Sequence, residues 1–216
     1  MVKNLENKNE GGDKSMENMV FLPISWDKIY KLSIILAEKI RKSNFVPDII
    51  IGIARGGWIV ARLLSDLLDI DDVGSVRIQF YRSVGVTYHE PVVSQPVSVS
   101  VEKKRILLCD DVSDTGYSLK TAIDHIKQRG AEVIKTATLH QKSKTVLVPD
   151  YWVEKTDAWI IYPWERRETV TKLIQSIITE TPDISTQKLI EKLKVTGLDE
   201  DLLELFVKWT KEDGLV

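Results

Sequence analysis

Two adjacent carboxylates followed by a turn of small and hydroxyl residues form the stretch of this 216-residue chain best equipped for chemistry. Residues 105–119 read RILLCDDVSDTGYSL. The run before the acids is too short for a helix and too apolar for a surface loop, which predicts a strand buried on both faces of a parallel sheet. Asp110 and Asp111 then stand at its carboxyl end, the edge where open α/β sheets bind their ligands. Asp114, Thr115, Gly116, Tyr117 and Ser118 make the turn, and Leu119, Ala122, Ile123 and Ile126 repeat at helical spacing. The turn therefore presents backbone N–H groups at a helix N-terminus, a phosphate cradle with carboxylates beside it. Residues 48–54, DIIIGIA, predict a second buried strand ending in Ala54, Arg55, Gly56 and Gly57. The glycine pair permits close backbone approach to a ligand, and Arg55 adds a fixed cation.

The elements needed to hold these turns can be read around them. Trp26–Lys42 is amphipathic, with Ser25 placed to cap it. Trp58, Ala61, Leu64 and Leu68 mark a crossover helix after the first glycine turn, giving a βαβ-like unit that leads into a strand over 73–82. Residues 81–100 are polar and interrupted by Pro91 and Pro96, with Val97, Val99 and Val101 alternating as a returning strand and His89 as a loop residue. A helix over 118–129 stops at Gly130, and a strand over 132–139 ends in His140, Gln141, Lys142, Ser143 and Lys144. Short strands at 151–154 and 158–161 precede Tyr162, Pro163, Trp164 and Glu165; helices follow at 169–179, 186–193 and 200–211. The fold class is α/β, a doubly wound and mainly parallel sheet flanked by helices.

The string of hydrophobic run, two acids, three residues, Thr-Gly and a small hydroxyl residue resembles the phosphoribosyl-diphosphate (PRPP) motif of the type I phosphoribosyltransferases. The resemblance spans residues 20–165. It implies transfer of a phosphoribosyl group from PRPP to a base, with release of diphosphate. It assigns the diphosphate to Ala54, Arg55, Gly56 and Gly57, the ribose hydroxyls to Asp110 and Asp111, and the terminal phosphate to the turn from Asp114 to Ser118. Mg²⁺ enters on Asp110 and Asp111, directly or through water. Residues 158–165 resemble the base-binding segment of xanthine-guanine phosphoribosyltransferases, which implies that Trp159 stacks on a purine while Ile160 and Glu165 contact its ring edge. A lysine after the 132–139 strand implies recognition of the exocyclic oxygen of a 6-oxopurine: Lys142 matches, with Lys144 as its rival. Asp114 is placed either to move a proton on the purine or to shape the loop, and with Arg55 it makes the catalytic pair. The 81–100 segment falls where the family carries a lid, or is an ordinary hairpin.

By this reading residues 1–18 are a disordered leader, 19–165 the phosphoribosyltransferase domain with a small hood, and 166–216 a helical extension. The alternatives are a PRPP sensor of the same fold without catalysis, or an enzyme for adenine, orotate or uracil. Retention of Arg55 and its glycines beside an intact acid pair argues against the sensor. Thirty basic against 32 acidic residues, net −2, gives no footprint for nucleic acid or a membrane surface. The tail, which could suggest a helix-turn-helix, has eight acidic and five basic residues over 183–216. One cysteine, Cys109, inside an apolar run fits a reducing compartment, so the expected setting is cytoplasmic. The family resemblance also implies a homodimer or higher homo-oligomer.

Overall fold

The computed structural model describes residues 19–81 and 90–216. The expected leader and most of the first half of the expected lid, His89 included, lie outside these residues. In chain order the elements are β1 (Phe21–Pro23), α1 (Trp26–Lys42), β2 (Ile49–Ala54), α2 (Gly56–Leu68), β3 (Val73–Tyr81), β4 (Glu90–Gln95), β5 (Arg105–Ser113), α3 (Tyr117–Lys127), β6 (Val133–Gln141), β7 (Tyr151–Lys155), β8 (Trp159–Ile161), α4 (Arg166–Glu180), α5 (Thr186–Leu193) and α6 (Glu200–Glu212). They divide into two compact units, Ser25–Asp157 and Met1–Ile24 with Ala158–Val216.

The first unit holds a six-stranded sheet in the order β4-β3-β2-β5-β6-β7. All neighbours run parallel except β3 and β4. Alternation along β2 and β5 sends Ile49, Ile51, Ile53, Ile106 and Leu108 into a cluster with Leu119, Ala122 and Ile126 of α3. The opposite face carries Ile50, Leu107 and Cys109, all fully buried, on the side where α2 packs against β2 and β5 and α1 packs against α2. The helices thus cover both faces, as the two buried apolar runs require. Ser25 caps α1 as its sequence predicts, its side chain accepting from Lys28 N–H at 3.2 Å.

Two local expectations are corrected and one strand is added. The strand returning to β3 is Glu90–Gln95 rather than Val97 to Val101: Pro96 has no N–H for the ladder, and beyond it Val97, Val99 and Val101 pack into the core beneath α3. β5 does not end at Cys109 but runs on through both carboxylates to Ser113, because β6 also continues and pairs Val112 with His140 and Ser113 with Gln141. β1 is too short to show a period; it forms by pairing in parallel with β8, Leu22 opposite Ile160.

In the second unit, the β1-β8 pair precedes three helices whose apolar faces meet in one cluster, among them Val170, Ile174, Leu193, Leu203 and Phe206. Ser185 caps α5 by accepting from Lys188 N–H. Gly197, with φ 69°, ends the 3₁₀ turn Lys194–Thr196 before α6. No helix among the described residues is long and apolar enough to cross a membrane.

Candidate active site

The two turns singled out in the sequence lie against one another at the carboxyl edge of the six-stranded sheet, because β2 and β5 are neighbours there. A Cβ at Gly57 would fall 2.4 Å from the Cys109 carbonyl oxygen and 2.8 Å from Asp110 Cα, and one at Gly56 would fall 1.7 Å from Asp111 Oδ2. Only glycine lets the backbone of one turn approach the carboxylates of the other so closely. The Ala54–Arg55 peptide bond is cis, and Arg55 stands exposed at the N-terminus of α2 with no side chain capping the helix.

The carboxylates are held from below. Asp110 Oδ1 accepts from Asp111 N–H at 3.0 Å, and Asp111 Oδ1 from Val112 N–H at 2.8 Å. Burial, and then the neighbouring Asp111, push the Asp110 carboxyl well above the usual carboxylate range. Hydroxyl donors or a cation arriving with a ligand would relieve that cost. Among the described residues no group of three or more His, Cys, Asp or Glu is placed to hold a metal ion. Two carboxylates alone suit an ion such as Mg²⁺ that keeps its waters and takes further oxygens from phosphates.

Immediately downstream, Gly116 occupies the cap position of α3 with φ 85°, and no side chain caps the helix. The first-turn N–H groups of α3, from Tyr117 and Ser118 onward, therefore point out of the helix end as an anion site requires. Lys142 arrives from the adjacent β6: its backbone N–H donates to Ser113 O at 3.0 Å, and its half-buried side chain belongs to the same charge cluster as Asp114. Burial lowers the Lys142 pKa, with Asp114 the strongest influence in the other direction. Lys144 lies farther out, with its ammonium 3.0 Å from Asp114 Oδ1 and both side chains largely exposed.

The first unit therefore gathers Ala54, Arg55, Gly56, Gly57, Asp110, Asp111, Asp114, Thr115, Gly116, Tyr117, Ser118 and Lys142. Residues 25–173 match the phosphoribosyl transferase domain family. The chain belongs to the phosphoribosyltransferase family. Among relatives, the hypoxanthine-guanine phosphoribosyltransferase of Saccharomyces cerevisiae is 28% identical over 193 residues, covering 68% of this chain and 86% of that protein. The xanthine-guanine phosphoribosyltransferase of Gluconobacter oxydans is 23% identical over 155 residues, covering 71% and 89%. The crystal structure of a purine phosphoribosyltransferase from Pyrococcus horikoshii superposes with a TM-score of 0.61 at 40% identity, covering 68% of this chain and 94% of that one.

Trp159, Ile160 and Glu165 of this phosphoribosyltransferase lie in the second unit. Trp159 is 48% exposed while Ile160 and Ile161 of β8 are buried. Trp159 N–H donates to Val20 O at 2.7 Å, Glu165 occupies the cap position of α4, and Tyr162 and Trp164 stack with ring centroids 4.7 Å apart.

Sequence reasoning passed over His140, which is fully buried. Its Nε2 is 3.5 Å from Glu154 Oε2, and the other carboxylate oxygen of Glu154 is paired with Lys28. Burial outweighs the pull of Glu154 and depresses the His140 pKa to about 4. The signal was the length of the strand: two further residues of β6 turn His140 from a loop residue into a core one.

Proposed function

We propose that this phosphoribosyltransferase moves the 5-phosphoribosyl group of PRPP to a 6-oxopurine base, guanine, hypoxanthine or xanthine, giving a nucleoside monophosphate and diphosphate as a purine salvage reaction. The observation that carries the base class is the half-buried Lys142, tethered by its own N–H to Ser113 and set in the same charge cluster as Asp114. A lysine so placed donates to a carbonyl-bearing ring; a cation with a lowered pKa is also one that a partner oxygen readily engages. The relatives named above, a hypoxanthine-guanine and a xanthine-guanine phosphoribosyltransferase, support the same class.

In this reading Arg55 and the amides of Ala54 to Gly57 bind the diphosphate, Asp110 and Asp111 accept from the ribose hydroxyls, and the α3 N-terminus from Thr115 to Ser118 takes the 5-phosphate. Mg²⁺ on Asp110 and Asp111, directly or through water, neutralises charge on the leaving diphosphate when bound. The anomeric C–O bond breaks with its electron pair leaving on diphosphate. The purine ring nitrogen supplies the pair of the new C–N bond, and the Asp114 carboxylate accepts the proton which that nitrogen sheds. Because charge develops on carbon and leaves on diphosphate, binding must be strongest as the bond breaks. Trp159 supplies an exposed indole face for a planar heterocycle, and Ile160 and Glu165 supply contacts to its edge. The same proposal makes the enzyme a cytoplasmic homodimer whose partners are PRPP and the base rather than nucleic acid or membrane.

The test is nucleotide formation followed by ultraviolet absorbance with PRPP and Mg²⁺ on hypoxanthine, guanine, xanthine, adenine, orotate and uracil in parallel. Turnover confined to the three 6-oxopurines is expected. Turnover on adenine or a pyrimidine instead overturns the base class, and tight PRPP binding with no turnover on any base turns the reading to a PRPP sensor.

A further inference from the structure

The segment that follows β6 lies along the phosphate turn for its whole length. Lys142 N–H reaches Ser113 O; Lys144 pairs with Asp114; Val146 N–H donates to Thr115 O at 2.9 Å. A Cβ on Gly116 would lie 2.7 Å from both Leu147 N and Thr145 Oγ1. At the centre, Ser113 Oγ and Thr145 Oγ1 are 2.7 Å apart, and each is 2.9 Å from the Leu147 carbonyl oxygen. Each hydroxyl owns one proton. Both hydroxyl links between the turn and residues 142–147 pass through Ser113 Oγ: without Ser113 neither remains, whereas without Thr145 the Ser113 hydroxyl still donates to Leu147 O. Ser113 is 1% exposed, which makes an unpaired hydroxyl there costly.

We propose that Thr145 and Ser113 are positioning residues: their hydroxyl bridge ties residues 142–147 to the phosphate turn, so that filling the turn fixes Lys142 for the base. The inference rests on the 6-oxopurine reading of Lys142. A phosphate held by the amides at Thr115 to Ser118 immobilises the backbone that Val146 and Leu147 pack upon. Lys142, three residues before Thr145 and itself bonded to Ser113, is fixed with it. In thermodynamic terms a sugar phosphate raises the affinity for base, and base raises the affinity for sugar phosphate by the same factor.

The experiment uses the full chain with Thr145→Val, Thr145→Ser, Ser113→Ala and the double variant Ser113→Ala/Thr145→Val. Base binding is followed by tryptophan fluorescence with and without ribose 5-phosphate, which fills the phosphate turn without reacting; KM for base and the Kd for PRPP without base are measured alongside. Losing the bridge is expected to raise KM for base at saturating PRPP about tenfold, while the Kd for PRPP measured without base stays within about twofold. Ribose 5-phosphate tightens base binding in the wild type and in Thr145→Ser, less in Thr145→Val, which keeps the Ser113–Leu147 bond, and not in Ser113→Ala. Because both links pass through Ser113, the double variant is no worse than Ser113→Ala alone. An equal rise in the base-free Kd for PRPP, a double variant worse than Ser113→Ala, or unchanged synergy in Ser113→Ala overturns the proposal. Should Ser113→Ala fail to fold, Thr145→Val set against Thr145→Ser carries the comparison through its smaller loss of synergy. Should the wild type act on another base, the 6-oxopurine reading fails and the same split, measured with that base, still decides the bridge.

Discussion

At the carboxyl edge of the six-stranded sheet, Asp110, Asp111, Asp114, Lys142 and Lys144 crowd around backbone so close that Gly56 and Gly57 admit no side chain. In the helical unit the interior is aliphatic and aromatic, its buried Thr196 and Thr210 hydroxyls return to carbonyls one turn back, and its charges sit outside as pairs such as Lys172 with Glu168. In the first region burial has raised one carboxyl and lowered one lysine, costs that a bound ligand would offset. The difference separates what is built to bind from what is built to fold, and it predicts different mutational signatures. The sharpest is Asp114→Asn, which leaves the shape of the turn but removes the proton acceptor. It should lower kcat by about 10²- to 10⁴-fold with little change in the KM for PRPP or in melting temperature. Steady-state kinetics decide it: equal losses in kcat and PRPP affinity would mean that Asp114 only shapes the loop. Lys142→Ala, removing one charged hydrogen bond, should raise the KM for a 6-oxopurine roughly 10- to 100-fold.

The reciprocal signature belongs to Leu193, fully buried among the helices. Leu193→Ala should cost about 2–5 kcal/mol in the unfolding of its unit, while PRPP affinity stays unchanged. Denaturant titration and PRPP binding on the same preparation test both halves. A PRPP affinity that falls in step with stability breaks the division between the regions.

How much of this could be read beforehand follows from how local each feature is. The acid pair, the phosphate turn and the Arg55-Gly56-Gly57 turn are short strings whose residue types and flanking periodicity agree, and the sheet they imply is the one observed. Their mutual contact was not legible, since it depends on β2 and β5 being neighbours, a pairing set by topology and not by spacing. The continuation of β5 and β6 past Cys109 and Leu139 was hidden for the same reason: polar residues such as Asp110, Ser113 and His140 look like turn residues until a partner strand pairs with them. Thr145 had no signal at all in the sequence, because its meaning lies in Ser113, 32 residues away. The three helices of the tail were legible from periodicity, whereas β1 needed β8 to exist.

His140 shows that the sheet edge carries an acid-sensitive group, and the sign can be worked out. Its pKa is depressed from 6.5 to about 4, chiefly by burial. As pH falls through 6.5 the unfolded chain takes up this proton before the folded one, so folding is progressively opposed, by about 1.4 kcal/mol per pH unit, until the folded state is also protonated near 4. Asp110, raised in the folded state, titrates with the opposite sign. Comparing wild type with His140→Gln by denaturant titration at pH 7, 6 and 5 cancels that contribution. The wild type should lose stability relative to the variant below pH 6.5 and hold steady above it; parallel profiles would place His140 in water contact rather than in the core.

The smallest effect concerns Lys144, the rival of Lys142 for the base. Both side chains of the Lys144–Asp114 pair are more than half exposed, at 64% and 51%, and such pairs contribute only about 0–1 kcal/mol. Lys144→Ala should therefore change kcat/KM by less than about fivefold, and the difference should shrink as ionic strength rises and screens the wild-type pair. The measurement is kcat/KM for hypoxanthine at low and high salt, set beside Lys142→Ala. If Lys144→Ala instead raises the KM for base by more than Lys142→Ala does, the outer lysine is the one that reads the purine, and the half-buried Lys142 belongs to the packing of the edge.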